Sequence, residues 1–213
     1  GAVGLRRLRP RRGSGGRRAA CYGISGKLGF FAGASLRVDG AEVGFFDMDL
    51  APLAKKSLAL PLTANGPETY TALLLQEIEG LMGEEGMDPA RCFGLGVTVP
   101  GPVDVATGTV LEIAAAPAWQ RYPLARRLED GLGLPVAADK DVYAGIRYLE
   151  HTGKLRCRES AGFLSICEGI GAAFLIGGEV FRGAHSLSGE IGHLTVRKDG
   201  IPCSCGNTGC LEL

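Results

Sequence analysis

No stretch of this chain approaches the roughly eighteen consecutive apolar residues of a membrane span, and no secretory signal is visible. Those absences point away from membrane partners and toward a cytoplasmic protein. Aromatic residues are scarce, at 7% with a single Trp, whereas Gly supplies 34 of 213 residues. That balance suits an α/β protein with many tight strand–helix turns. No repeat of solenoid length occurs. The seven cysteines are odd in number and mostly scattered, which suits a reducing compartment rather than a disulfide framework. The chain does not begin with Met, which reads as a processed end or an excision from a longer protein. At this length it can bury a real core as one large domain or two small ones.

Acid is also missing from one place. The first 20 residues carry seven arginines (Arg6, Arg7, Arg9, Arg11, Arg12, Arg17 and Arg18) and no Asp or Glu. With those set aside, the remaining chain has 16 basic groups against 23 acidic ones, so a formal net charge of zero conceals a basic arm on an acidic body. An arm of this kind reads as a nucleic-acid contact, as a linker to a DNA-binding module, or as a solvated tail, since Gly13-Ser14-Gly15-Gly16 interrupts it.

Downstream, LGFFAGASLRV (28–38) and AEVGFFDMDL (41–50) read as two strands joined at Asp39-Gly40, with a third strand expected over 56–62. Pro67 opens a helix with Tyr70, Leu73, Leu74, Ile78, Leu81 and Met82 at helical spacing. FGLGVTVPGPVD is a buried strand entering a turn, GTVLE a short strand, and PLARRLEDGLGL a helix that stops at Gly131 or Gly133. PVAAD gives a strand and 141–151 a helix entered at its acidic end. Residues 162–183 alternate strand, glycine turn, strand, turn, strand. Cys92 and Cys167 sit in apolar strand-like runs and read as buried thiols. The order predicts an α/β protein: a ribonuclease H-like domain followed by the start of a second copy. The expected organisation is a basic arm over 1–22, a first lobe over 23–138 and a partial second lobe over 139–213.

The densest chemistry lies in GEIGHLTVRKDGIPCSCGNTGCLE (189–212). His193, Cys203, Cys205 and Cys210 form H-x9-C-x-C-x4-C. A disulfide within Cys203-Ser204-Cys205 would be badly strained, whereas thiolates and an imidazole suit zinc. Four protein ligands close the tetrahedron, so the predicted role is structural; a disulfide or free thiols are the alternative.

This stretch resembles the signature of the ROK superfamily (repressors, open reading frames, sugar kinases). The resemblance runs from about Tyr22 to Leu213 and is tightest over 162–213, where EVFRGAHSLSGEIGH matches the run into the zinc loop. VTVPGPVD with GTVLE, and PAWQRYPLARRLEDGLGLPVAADKDVYAGIRYLE, are similar to first-domain segments of the family. The resemblance implies a sugar pocket between two actin/hexokinase-like domains. Glu190 and Glu212 would accept hydrogen bonds from sugar hydroxyls, and His193 would bind zinc through one ring nitrogen and face the sugar with the other. Asp141 aligns with the catalytic base of the kinases, with Asp139 as a nearby competitor. Against these stand simpler readings: Glu190 and Asp141 as helix-start carboxylates, and Glu212 as a frayed end.

The same resemblance exposes departures from the kinases. Their Asp-x-Gly-Gly-Thr phosphate hairpin is Ser35-Leu36-Arg37-Val38-Asp39 here, and their Thr-Gly-x-Gly loop is Glu168-Gly169-Ile170-Gly171. Lys140 stands where Asn precedes the catalytic Asp, and Ala116-Pro117 replaces the usual Asn before the aromatic Trp119. The family domain also runs on past the equivalent of Leu213. These changes argue against ATP and Mg²⁺ chemistry. The expectation is therefore the zinc-containing, sugar- or amino-sugar-binding effector domain of a ROK-type transcriptional regulator, homo-oligomeric as family members commonly are. DNA would be reached only through a winged helix-turn-helix that this chain lacks. The alternatives are a glucokinase-like ROK sugar kinase and a truncated, inactive ROK protein.

Overall fold

The computed structural model describes residues 5–8, 21–155 and 159–213. Strands β1 (Leu5–Leu8) and β2 (Cys21–Ile24) pair antiparallel into a short ribbon. The rest of the expected basic arm lies outside the described residues.

A five-stranded mixed sheet follows. Strands β3 (Phe30–Leu36), β4 (Ala41–Asp47) and β5 (Pro52–Leu58) form an antiparallel meander. Strand β6 (Cys92–Val99) adds in parallel to β3, and β9 (Val136–Lys140) adds in parallel to β6. The sheet order is therefore β5-β4-β3-β6-β9. Helices α1 (Pro67–Glu84) and α2 (Leu124–Leu132) supply Tyr70, Leu74, Ile78, Leu124 and Leu128 to its core. Trp119 is fully buried at the centre, edge-on to Tyr70 (5.2 Å) and Tyr122 (5.5 Å), and its indole N–H donates to the Leu62 carbonyl at 3.3 Å. The short pair β7 (Val103–Asp104) and β8 (Thr109–Val110) rims one end.

Helix α2 ends at Leu132, where Gly133 takes the left-handed conformation (φ 65°) that glycine tolerates best. Helix α3 (Asp141–His151) then leads to a second antiparallel sheet of β10 (Ser160–Ile166), β11 (Ile170–Ile176) and β12 (Glu179–Val180). Val142, Tyr143 and Ile146 of α3 pack on Ala173 and Leu175 as a second apolar cluster.

Two expectations are corrected. The third strand spans 52–58, not 56–62, because Asp47 accepts backbone hydrogen bonds from Asp49 (2.8 Å) and Ala51 (2.9 Å) and turns the chain back at once. Leu60 and Leu62 instead enter the core from the loop that follows. Cys92 is buried, but Cys167 is exposed: it falls in the turn between β10 and β11, past the last paired residues. Among the described residues, no helix is long and apolar enough to cross a membrane.

Candidate functional site

The segment after β12 is held against β11 by two contacts that exclude any side chain. At Gly189 (φ 82°) a Cβ would lie 1.8 Å from the Ala172 carbonyl oxygen, and the Ala172 N–H donates to the Gly189 carbonyl at 2.9 Å. At Gly192 a Cβ would lie 2.2 Å from the Ile170 carbonyl oxygen. Between them Glu190 precedes a single 3₁₀ turn, Ile191–His193, so the Glu190 and His193 side chains leave a segment fixed to the sheet. The chain then doubles back: Thr195 bridges Cys210, Pro202 bridges Thr208, and the Cys203 N–H donates to the Asn207 carbonyl at 2.8 Å.

This fold-back gathers His193, Cys203, Cys205 and Cys210, whose ligand atoms all lie within 4.8 Å of one another. The Cys205 and Cys210 sulfurs are 3.7 Å apart, and the Cys203 sulfur is 3.7 Å from His193 Nδ1. A disulfide needs about 2.05 Å, whereas sulfurs on a tetrahedral ion with bonds of about 2.3 Å stand roughly 3.8 Å apart. The donors therefore fit a metal ion. Burial and the neighbouring sulfurs push the Cys210 thiol up to about 12, while the Asn207 backbone N–H pulls Cys205 down. A cation bound among these sulfurs would offset their mutual repulsion and favour their thiolate forms.

Beside the cluster a cleft of about 880 Å³ opens between the two sheets, and Asp141, Glu190, His193 and Glu212 all line it. His193 turns Nδ1 toward Glu212 (3.3 Å) and the Cys203 sulfur, and Nε2 toward Glu190 (3.8 Å). Glu212 is half-buried, and its backbone N–H donates to the Gly192 carbonyl at 3.1 Å, so it is anchored rather than frayed. Asp139 and Asp141 have separate roles. Asp139 accepts two hydrogen bonds from Arg182 (2.6 and 2.7 Å), and Arg182 also lies over the Tyr143 ring at 4.9 Å. Asp141 opens onto the cleft.

The surrounding protein strips water from Asp141 and raises its pKa, an effect that its bond to the Val142 N–H and the charge of Lys140 only partly oppose. A raised carboxyl pKa means that the folded state binds the proton more tightly, so this group weakens the fold as pH rises through that pKa. Asp141→Asn should therefore raise the thermal midpoint at pH 7 by about 1–2 °C, a small gain because the carboxylate is partly wetted. The advantage should shrink as pH falls toward 4, which melting curves across that range will record.

Three ion pairs escaped the sequence reading. Lys140, the one charged residue among the described residues that is fully buried, binds Glu190 across fifty positions. Arg37, in the β3–β4 turn, reaches across the cleft to Glu168 in the β10–β11 turn at 3.2 Å, with Asp39 beside it at 3.3 Å. Arg182 holds Asp139. The only available signal was compositional: opposite charges replace small or neutral residues at Arg37 and Glu168, and again at Lys140.

Chemically, the cleft offers carboxylates as hydroxyl acceptors, an imidazole and one buried ammonium, with a metal-competent loop beneath them. The family model described as ROK family matches residues 38–213. Among curated proteins, the xylose repressor of Caldicellulosiruptor bescii is 31% identical over 93% of this chain, and the xylose repressor of Bacillus subtilis is 28% identical over 94%. The glucokinase of Halalkalibacterium halodurans is 32% identical over 56% of this chain. Among solved structures, a ROK family transcriptional regulator homologous to the E. coli MLC protein superposes with a TM-score of 0.76 at 25% identity, covering 92% of this chain and 49% of its own. A Streptomyces griseus ROK glucokinase in complex with glucose and AMPPNP superposes at 0.75 with 27% identity, covering 86% of this chain and 56% of its own. The chain spans about half the length of the curated repressors, 49% and 51%.

Proposed function

This chain belongs to the ROK family, and on that premise we propose that it is the effector portion of a ROK-type transcriptional regulator, binding a sugar or amino sugar without phosphorylating it. The observation that carries the proposal is the Arg37–Glu168 ion pair. The two turns that resemble the kinases' phosphate loops face one another here, and they meet through charged side chains rather than presenting free backbone amides. Glu168 and Asp39 would repel a triphosphate, and phosphoryl transfer depends on preorganised donors around that group. The extensive similarity to xylose repressors supports the same reading.

Within the cleft, Glu190 and Glu212 accept hydroxyl hydrogen bonds, and His193 offers Nε2 to the ligand while Nδ1 faces the metal side. We assign the metal as Zn²⁺, held by His193, Cys203, Cys205 and Cys210, because soft thiolates with an imidazole select it. With four protein donors the ion would stiffen the glycine-rich loop and supply no hydrolytic chemistry. The division into two lobes is placed at 138–141, supported by the separate apolar clusters on either side of it. DNA reading is assigned to a winged helix-turn-helix N-terminal to these residues.

A second reading, a ROK sugar kinase, draws on Asp141, whose raised pKa and place in the cleft suit a general base, and on the glucokinase relatives. The two readings part on nucleotide chemistry. At millimolar ATP and Mg²⁺ no sugar from a hexose and pentose panel should stimulate ADP release above the no-sugar rate. Sugar-dependent release that disappears in Asp141→Asn would establish the kinase instead.

A further inference from the structure

A second cavity, of about 630 Å³, lies beside the cleft and shares Glu112 and Gln120 with it. Its volume falls within the roughly 300–1,000 Å³ of ordinary small-molecule sites. Asp104, Arg121, His185 and Ser186 complete its polar lining, so it is built from the loops around β7–β8 on one side and from the run into the metal loop on the other.

Two observations distinguish it from a surface dent. Among the described residues, three that are not glycine adopt a left-handed backbone: Leu50, Arg121 (φ 48°) and Ser186 (φ 57°). Leu50 closes the β4–β5 turn; the other two both line this cavity. Backbone strain at non-glycine positions persists where surrounding structure imposes it, and it clusters at ligand sites. The second observation is that the side chains of Glu112, Gln120, Arg121 and His185 make no hydrogen bond or ion pair among the described residues. Asp104, by contrast, is committed: it accepts from the Ala106 N–H at 3.0 Å and the Thr107 hydroxyl at 2.9 Å.

The four uncommitted groups present a carboxylate, an amide, a guanidinium and an imidazole around one space. They mix donors with acceptors and nearly balance in charge, so they suit a neutral, hydroxyl-rich ring rather than an anion, which the carboxylates of Glu112 and the neighbouring Asp104 would repel.

Resting on the sugar reading of the main cleft, we propose that this cavity is a second saccharide subsite, and that the ligand is a disaccharide or longer glycoside with its second ring against Arg121 and His185. The shared wall at Glu112 and Gln120 is where the linkage between rings would cross.

The test is calorimetric titration of the full chain with D-xylose and D-glucose against xylobiose, cellobiose and maltose. At least one dimer should bind about tenfold or more tightly than its own monomer. Arg121→Ala and His185→Ala, both exposed and outside the apolar clusters, should each erase most of that gain while leaving monosaccharide affinity within about twofold. Monomers that bind as tightly as every dimer, or a dimer gain that survives both substitutions, would overturn the second subsite and leave the sugar reading intact. Failure of every saccharide to bind would overturn the sugar reading, and the subsite with it.

Discussion

Cys210→Ser is expected to strip the protein of tightly held metal, from about one equivalent to a small fraction, and to lower its thermal midpoint by roughly 10 °C or more. Cys210 is buried and stands 3.7 Å from the Cys205 sulfur, so its loss opens one corner of the tetrahedron. A structural ion contributes folding free energy directly, and no residue of the loop belongs to either apolar cluster. Between Leu194 and Glu212 its order rests on isolated bridges, on backbone hydrogen bonds such as Gly209 N–H to the Ile201 carbonyl (2.9 Å) and Leu211 N–H to the Leu194 carbonyl (3.0 Å), and on a glycine-tight approach at Gly209, where a Cβ would lie 1.7 Å from the Arg197 carbonyl oxygen. Losing the ion should also degrade the proposed ligand binding, because His193 is one of the four donors and Glu212 closes the loop, and both line the cleft. Cys167→Ser, which removes an exposed thiol distant in sequence from the cluster, should leave metal content unchanged. Metal analysis and melting curves on the two variants decide it; equal metal content would refute the assignment.

The second large effect is expected at Glu190. Lys140 is almost fully buried, and Glu190 is its ion-pair partner. Removing one member of a buried pair leaves an uncompensated charge, a loss of about 3 kcal/mol, which for a chain of this size corresponds to roughly 6–12 °C in midpoint. Glu190→Ala should show that loss. Lys140→Met should cost less, because the Glu190 carboxylate is partly exposed and can be hydrated in its partner's absence. In the double variant the buried ammonium is gone as well, so its stability should sit well above the sum of the single losses. Strictly additive losses would mean that the two groups do not interact in solution. On the proposed sugar reading, a ligand hydroxyl would meet a Glu190 carboxylate already oriented by Lys140, which would limit its rearrangement on binding.

How far the sequence foretold this molecule depends on the distance over which each feature is encoded. The His/Cys cluster was legible because its four side chains fall within eighteen positions of one another and glycines mark the turns between them. The meander, α1, α2 and α3 followed from alternation, helical spacing and the Pro67 and Gly133 signals. The β5 strand was misplaced because its start is set by a side-chain-to-backbone turn at Asp47, which period-2 patterning does not register. Cys167 was misread because an apolar run continued past the point where pairing ends. The ion pairs of Lys140 with Glu190, Arg37 with Glu168 and Arg182 with Asp139 join residues 43 to 131 positions apart. Each looked like an isolated substitution until the chain had folded. The side cavity left no sequence mark at all, since its strained positions are an Arg and a Ser rather than glycines.

The central claim, a saccharide site without phosphoryl transfer, is tested most directly by calorimetric titration of metal-replete protein with a panel of pentoses, hexoses and amino sugars, in the absence of nucleotide. Saturable binding of at least one sugar is expected at one site per chain, abolished by Glu190→Gln and independent of ATP. A folded, metal-replete protein that gives no binding heat with any member of the panel, or that binds only once ATP is added, would contradict it.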